Sequence, residues 1–297
     1  VITPPDVAEG GEVTVIQSGW RLGIRAFAEN KLAVAGVGIL VFFVLFCWVG
    51  PYVYHGNVTL ADVLNTDSHP VQGHPLGTDG DGFDTLAQLM VGGQASLEIG
   101  FLAAVIATVV GTLWGAIAGL VGGIVDGLMM RIVDVFLSIP ILFVVLIVGA
   151  RFGSSVVHLG LIVGLFSWLV PARLVRGEVL TLRVRDFVAA ARAAGARRSR
   201  LVLRHLIPNA LSVVVVNITF QVADAILITA ILGFLGFGLN FPTFDWGDLL
   251  SSGTQDLLDG YWWLIYPVGL CIVLTVMAMN LIGDALRDAL DVRLRRR

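Results

Sequence analysis

Six apolar runs, each close to the length that crosses a lipid bilayer, constrain this chain more than any other feature. They are Leu32 to Val53, Ile99 to Val125, Gly127 to Ala150, Phe152 to Ala172, Asn209 to Leu239 and Gly260 to Gly283. About 20 apolar residues in helical form span roughly 30 Å of hydrocarbon. In lipid, a helix satisfies every backbone hydrogen bond within one segment. The runs therefore predict an all-α, polytopic membrane protein with six transmembrane helices. Composition agrees: 57% of the residues are hydrophobic and 14% are charged, against roughly 25% charged in an ordinary soluble domain.

An even number of spans places both termini on one side, and the distribution of cations says which. With the N-terminus inside, all Lys and Arg residues except Arg151 fall on inside segments or at their edges. Outer segments instead carry Asp62, Asp67, Asp79, Asp81, Asp84, Asp245, Asp248, Asp256 and Asp259. The positive-inside rule then predicts cytoplasmic termini. Residues 1–31 lack the pattern of a signal peptide and read as a cytoplasmic tail. Within it, Trp20, Leu22, Ile24 and Phe27 interleave with Arg21 and Arg25 as an interfacial amphipathic helix. Residues 32–290 form the permeation domain, and 291–297 a basic cytoplasmic tail.

Several function classes are excluded. The net charge of −3 carries no nucleic-acid footprint. Lys31 is the only lysine and stands in no phosphate-cradling Gly-rich loop, so ATP-driven work belongs to partner chains. No zinc-protease or nucleophile-elbow motif is present, and the chain reads as non-catalytic. His55, His69 and His74 lie in one outer loop without ligand spacing, and Asp79 to Asp84 reads as an acidic turn, so no metal site is assigned. Cys47 and Cys271 lie in apolar runs as small hydrophobes.

Small residues recur every fourth position in the second span: Ala103, Ala107, Gly111, Gly115, Gly119 and Gly123. Such a seam lets helix backbones approach closely, either within this chain or against a second membrane subunit. Arg131 and Asp134, three apart, read as a local ion pair, as do Asp284 and Arg287. Asp224 lies mid-span with no local partner. It either lines a cavity or bonds a neighbouring helix.

The segment joining the fourth and fifth spans is rich in Ala and Arg, with Gly195 inside it and Pro208 near its end. It reads as two short helices around a glycine turn. Ala189, Ala190 and Ala191 leave a surface free of bulky side chains, and the flanking arginines, among them Arg192, suit acidic protein groups or anionic headgroups.

This segment resembles the EAA loop of ABC importer permeases. That pattern runs Glu-Ala-Ala, three residues, Gly, then Pro thirteen residues beyond it; here stand Ala190, Ala191, Gly195 and Pro208, with Ala189 in place of the Glu. His74-Pro-Leu-Gly-Thr-Asp79, His205-Leu-Ile-Pro-Asn209, Gly233 to Gly238 with Trp246-Gly247, and Asn280 to Asp291 are similar to blocks of the peptide and nickel importer branch, in its shorter permease. The resemblance implies a type I importer permease of a bacterial or archaeal cytoplasmic membrane. It implies a homologous permease partner, two cytoplasmic P-loop ATPases that bind ATP and Mg, and an extracytoplasmic binding protein. It also implies that Ala189, Ala190, Ala191, Arg192, Gly195, Ala196 and Pro208, within a coupling loop at 177–208, dock on the ATPase. Peptide is the expected substrate, nickel the variant within the branch. A secondary transporter or channel is the rival from another class, but no internal repeat supports it.

Overall fold

The structure is a computed structural model that describes residues 27–56, 58, 60–62, 64–152 and 155–295. Of the expected tail helix at Trp20 to Phe27, only Phe27 lies among them, in a helical turn. The described residues fold into helices α1 (Lys31–Trp48), α2 (Thr85–Val121), α3 (Gly123–Leu137), α4 (Ile141–Phe152), α5 (Val156–Ser167), α6 (Leu169–Leu182), α7 (Asp186–Ala193), α8 (Arg198–Leu201), α9 (Ile207–Phe234), α10 (Trp246–Asp256) and α11 (Tyr266–Arg295), besides shorter turns. No strand occurs among the described residues; the outer loop holds only the isolated bridges Val71–His74 and Thr78–Asp84. Four helical segments are long and apolar enough to cross a bilayer, and six spans result if each of two bent pairs counts as one.

The bends have local causes. α3 and α4 meet at 78°, where Pro140 immediately precedes α4 and cannot donate to a continuing helix. α5 and α6 meet at 44°, with Pro171 in the first turn of α6. At the other end of the scale, α2 is 37 residues long, about 55 Å at 1.5 Å per residue, well beyond the hydrocarbon thickness. It starts at Thr85 rather than near Ile99, N-capped by Asp84, whose carboxylate accepts from the Ala87 N–H at 2.8 Å. It ends at Val121, where Gly122 adopts φ +68°. The expected tail at 291–297 has no helix boundary before it, because α11 continues to Arg295.

α2 is the axis of the molecule, packing against α6, α9 and α5. The glycine seam faces α6. A Cβ on Gly111 would stand 2.7 Å from the Trp168 carbonyl oxygen, one on Gly115 2.3 Å from that of Ala172, and one on Gly119 2.9 Å from Val179 Cγ1. Gly123 is outside this seam: it begins α3 at φ +59°, with nothing within 4 Å of its would-be Cβ. The helical break at Gly122 ends the four-residue periodicity.

Neither local ion-pair expectation holds, and one of the two carboxylates pairs with a neighbouring helix instead. Asp134 pairs with Arg173 of α6 at 2.5 Å, while Arg131 is exposed and forms no ion pair among the described residues. Asp284 is exposed and does not pair with Arg287. Three-residue spacing permits such pairs, but a cation on a packed neighbouring helix competes for the same carboxylate. Arg176 likewise holds Asp126 through two bonds, Nε to Oδ1 at 2.5 Å and Nη2 to Oδ2 at 2.7 Å.

At the end of the bundle away from Gly122, α10 lies against the N-terminal part of α2. Trp246 is fully buried; its indole N–H donates to the Leu89 carbonyl and its backbone N–H to Ser96 Oγ, both at 3.0 Å. Phe43 meets its ring edge-on, and the two free, buried cysteines Cys47 and Cys271 join the same core. Asp245 caps α10, accepting from the N–H groups of Gly247 and Asp248 on Oδ1, while its buried Oδ2 has no partner. Burial, with the Asp248 carboxylate adding to it, pushes the Asp245 carboxyl up to about 7.

Two predictions follow from this packing. Gly115→Ala is expected to lower the stability of the detergent-solubilised protein by about 1–3 kcal/mol, because the obstructing atom is backbone. Gly127→Ala, where an added Cβ meets nothing within 4 Å, serves as the tolerated control in the same thermal melts. For Asp245, ionisation costs more in the fold than in the unfolded chain, so stability is lost as pH rises from the ordinary carboxylate range near 4 through about 7. Asp245→Asn keeps an oxygen for the two N–H groups and is expected to shrink the fall in melting temperature between roughly pH 5 and 8.

Candidate coupling segment and translocation groove

The coupling segment hangs between α6 and α9. After α6, Arg183 turns back so that its Nη1 donates to the Gly119 carbonyl at 3.0 Å, satisfying an end of α2 that the helix itself leaves open. α7 then carries the alanines. Val188 is its one buried residue, inserted among Val175 and Val179 of α6, Ala116 and Leu120 of α2, and Leu201 and Leu206 beyond the turn. Ala189, Ala190 and Arg192 are exposed, and Ala191 and Ala196 are half-buried. One side of α7 is thus anchored, and the rest of its surface exposes Asp186, Phe187, Ala189, Ala190 and Arg192.

Gly195 terminates α7 at φ +79°. Its N–H donates to the Arg192 carbonyl at 2.9 Å and the Ala196 N–H to that of Ala191 at 3.0 Å. This pair of bonds is the Schellman arrangement, which needs a left-handed residue at Gly195's position. α8 and a wider turn at Val202–Leu206 then lead into α9, with Pro208 exposed in its first turn, where a missing N–H does no harm. The arginines flanking this face, Arg185, Arg192, Arg197, Arg198, Arg200 and Arg204, are all exposed.

Two grooves lie end to end along α9. The one nearer the start of α9, about 500 Å³, is bordered by Arg173, Glu178, Asn217 and Arg287 among others. The next, about 450 Å³, begins one residue further along α9 at Gln221 and is walled by the α3–α4 bend, the α5–α6 bend and Asp224. Asp224 is exposed to this groove and makes no hydrogen bond or ion pair with a described residue. One turn before it, Gln221 donates from Nε2 to the Ser167 carbonyl at 2.8 Å. Neither Gln221 nor Ser167 stands out in the sequence, since an isolated polar residue in an apolar run carries no periodic signal. Val188 was equally hidden, being one apolar residue among alanines.

The His74 to Asp84 block forms a structural knot. His74 Nδ1 lies 2.7 Å from Asp84 Oδ2, and the Tyr54 hydroxyl donates to the same oxygen at 2.6 Å. Thr78 is fully buried, accepting from the Ser68 N–H and donating to the Asn65 carbonyl. Burial raises the Asp79 carboxyl, partly offset by N–H donation from Phe83 and Gln88. Among the described residues no three His, Cys, Asp or Glu side chains converge to hold a metal.

Comparison with known proteins fits this arrangement. Residues 111–296 match the family described as the binding-protein-dependent transport system inner membrane component, and residues 18–70 match the N-terminal transmembrane domain of oligopeptide transport permease C. The oligopeptide transport system permease protein OppC of Escherichia coli (strain K12) is 40% identical over 93% of this chain and 91% of its own length. OppC of Bacillus subtilis (strain 168) is 35% identical over 98% and 97%. The dipeptide transport system permease protein DppC of the same organism is 33% identical over 98% and 90%. In fold, the chain is similar to the inward-facing MetNI methionine ABC transporter, with a TM-score of 0.55 and 23% identity over 68% of this chain and 96% of that one. The chain is a member of the binding-protein-dependent transport system inner membrane component family, with the fold of an ABC importer permease.

Proposed function

We propose that this chain is one permease subunit of an ATP-driven peptide importer of the inner membrane, with six spans and cytoplasmic termini. It pairs with a homologous permease to enclose the pathway. Two cytoplasmic ATPases hydrolyse ATP with Mg, and an extracytoplasmic binding protein delivers the peptide. Support for peptide as cargo comes from the oligopeptide and dipeptide permeases that the chain resembles over most of its length. The six-span reading takes α3–α4 and α5–α6 as one bent span each.

The observation that carries the mechanism is the geometry of α7: one side is fixed to α2 and α6 through Val188, and the exposed surface pairs the small Ala189 and Ala190 with Phe187 and with flanking arginines. A groove on an ATPase closes over Ala189, Ala190, Ala191, Arg192, Gly195 and Ala196. Nucleotide-driven closure displaces α7, and the connections through α6 and α9 carry that displacement to helices that border both grooves. Closure biases the two states because the contacts at α7 differ between them. Ala189 offers no carboxylate there, so docking relies on shape and on the arginines.

Gentle solubilisation of the tagged chain is expected to recover a second permease and P-loop ATPases in fixed stoichiometry. A homo-oligomer without ATPase would instead support an autonomous transporter. In the assembled complex, Gly195→Val is expected to lower substrate-stimulated ATP hydrolysis roughly tenfold, matching the ~1–2 kcal/mol cost of left-handed angles in a residue with a Cβ. Gly195→Asn should fall between it and the wild type, since Asn tolerates those angles. Full hydrolysis and uptake by the Val variant would remove Gly195 from the coupling role.

A further inference from the structure

The groove around Asp224 is apolar along most of its length, with Phe136, Ile139, Leu227 and Ile231 among its walls, and no Lys, Arg or His lines it. A carboxylate at such depth needs a cation or water to hold its charge, and no described residue supplies an ionic partner. Two further acceptors stand beside it. Ser167 Oγ is buried without a hydrogen-bond partner. Gln221 has its Nε2 committed to the Ser167 carbonyl, which turns its Oε1 to use as an acceptor. Gln221 and Asp224 are three apart on α9 and so share a helix face.

We infer that Asp224, Gln221 and Ser167 form a transit site for a primary ammonium group of the substrate, the free amino terminus of a peptide. A primary ammonium has three N–H donors and no acceptor; Asp224 is exposed to the groove with a single negative charge, and the buried Gln221 and half-buried Ser167 line it alongside. The apolar walls accommodate side chains of varied shape, while the ammonium is the feature common to free peptides. The site would hold the substrate by its charged end midway along α9 before release into the groove nearer the start of α9, where Arg287 is exposed. This inference rests on the peptide-importer reading above.

The test uses the complete complex, with both permeases, ATPases and binding protein, reconstituted in proteoliposomes. ATP-driven uptake of a tripeptide with a free amino terminus is compared with uptake of its N-acetylated form, for wild type, Asp224→Asn and Asp224→Glu. The Asn variant is expected to lower the ratio of free to acetylated uptake roughly tenfold, the loss that accompanies removal of a charged hydrogen-bond partner, and the Glu variant to restore most of it. An unchanged ratio in the Asn variant overturns the assignment. So does failure of that variant to retain the second permease on size exclusion, which would mean that Asp224 is held by a basic side chain of that subunit. Absence of ATP-driven uptake of both peptides by the wild-type complex would overturn the importer reading itself, and the ammonium site with it.

Discussion

The close approach of α2 and α6 is the contact on which the rest of the molecule depends. At Gly111 and Gly115 the two helices meet backbone to backbone, so no side chain can be interposed. Lipid provides no hydrophobic drive between apolar helices, and association has to come from this close packing and from polar contacts. Both are concentrated here. Arg176 reaches Asp126 at the start of α3, and Arg183 reaches the last turns of α2. Asp126 in the first turn of α3 also meets the positive end of that helix, so one carboxylate serves both a helix terminus and a guanidinium. The direction in which α6 leaves the bundle is therefore fixed, and with it the position of α7.

At the opposite end, α2 is longer than the bilayer is thick and serves as a mast for α10 and the His74–Asp84 loop. Trp246 fastens α10 to it, and Asp84 fastens the outer loop by capping it while bonding Tyr54 and His74. One helix thus joins the outer knot to the cluster that anchors Val188. The His74–Asp84 knot and the segment around Gly195 are attached to the same long helix, whereas the groove is walled on one side by the unbroken α9 and on the other by the bent pairs α3–α4 and α5–α6. Rigidity lies along α2, and the breaks at Pro140 and Trp168 lie where the groove is.

Sequence made some of this legible and hid the rest for physical reasons. The turn at Gly195 was readable because it is local: alanines favour helix, Gly195 tolerates the left-handed angles, and Pro208 belongs in a first turn. The seam from Gly111 to Gly119 was readable by its period, but the partner helix was not, because a stripe of small residues specifies closeness without specifying what comes close. Gly123 followed the period and failed because Gly122 had already ended the helix. Asp134 chose Arg173 over Arg131 across a helix–helix contact that no spacing rule encodes. The true start of α2 at Thr85 was missed because a helix outside the lipid need not be apolar; there Gln88, Gln94 and Glu98 interrupt the run without interrupting the helix. Asp224 was visible as an isolated charge, yet its neighbours Gln221 and Ser167 acquired meaning only when two helices brought them together.

The distribution of fixed and free contacts around α7 bears on how force could pass through this fold. Val188 sits in a cluster drawn from α2, α6, α8 and the turn before α9, so displacement of α7 loads α6 and α9 together instead of bending a loop. A close-packed interior does not absorb such a load by gradual compression; it passes it on until it meets a place with fewer contacts. Along α6 that place is the junction with α5 at Trp168, and beside α9 it is the groove itself. Asp224 and Arg287 both border this yielding region. Under the proposed function, opposite charges at its middle and at its Arg287 end bear on transport, because a shift of α9 relative to the α5–α6 bend changes the surroundings of Asp224 without requiring any bond of the α2–α6 contact to break.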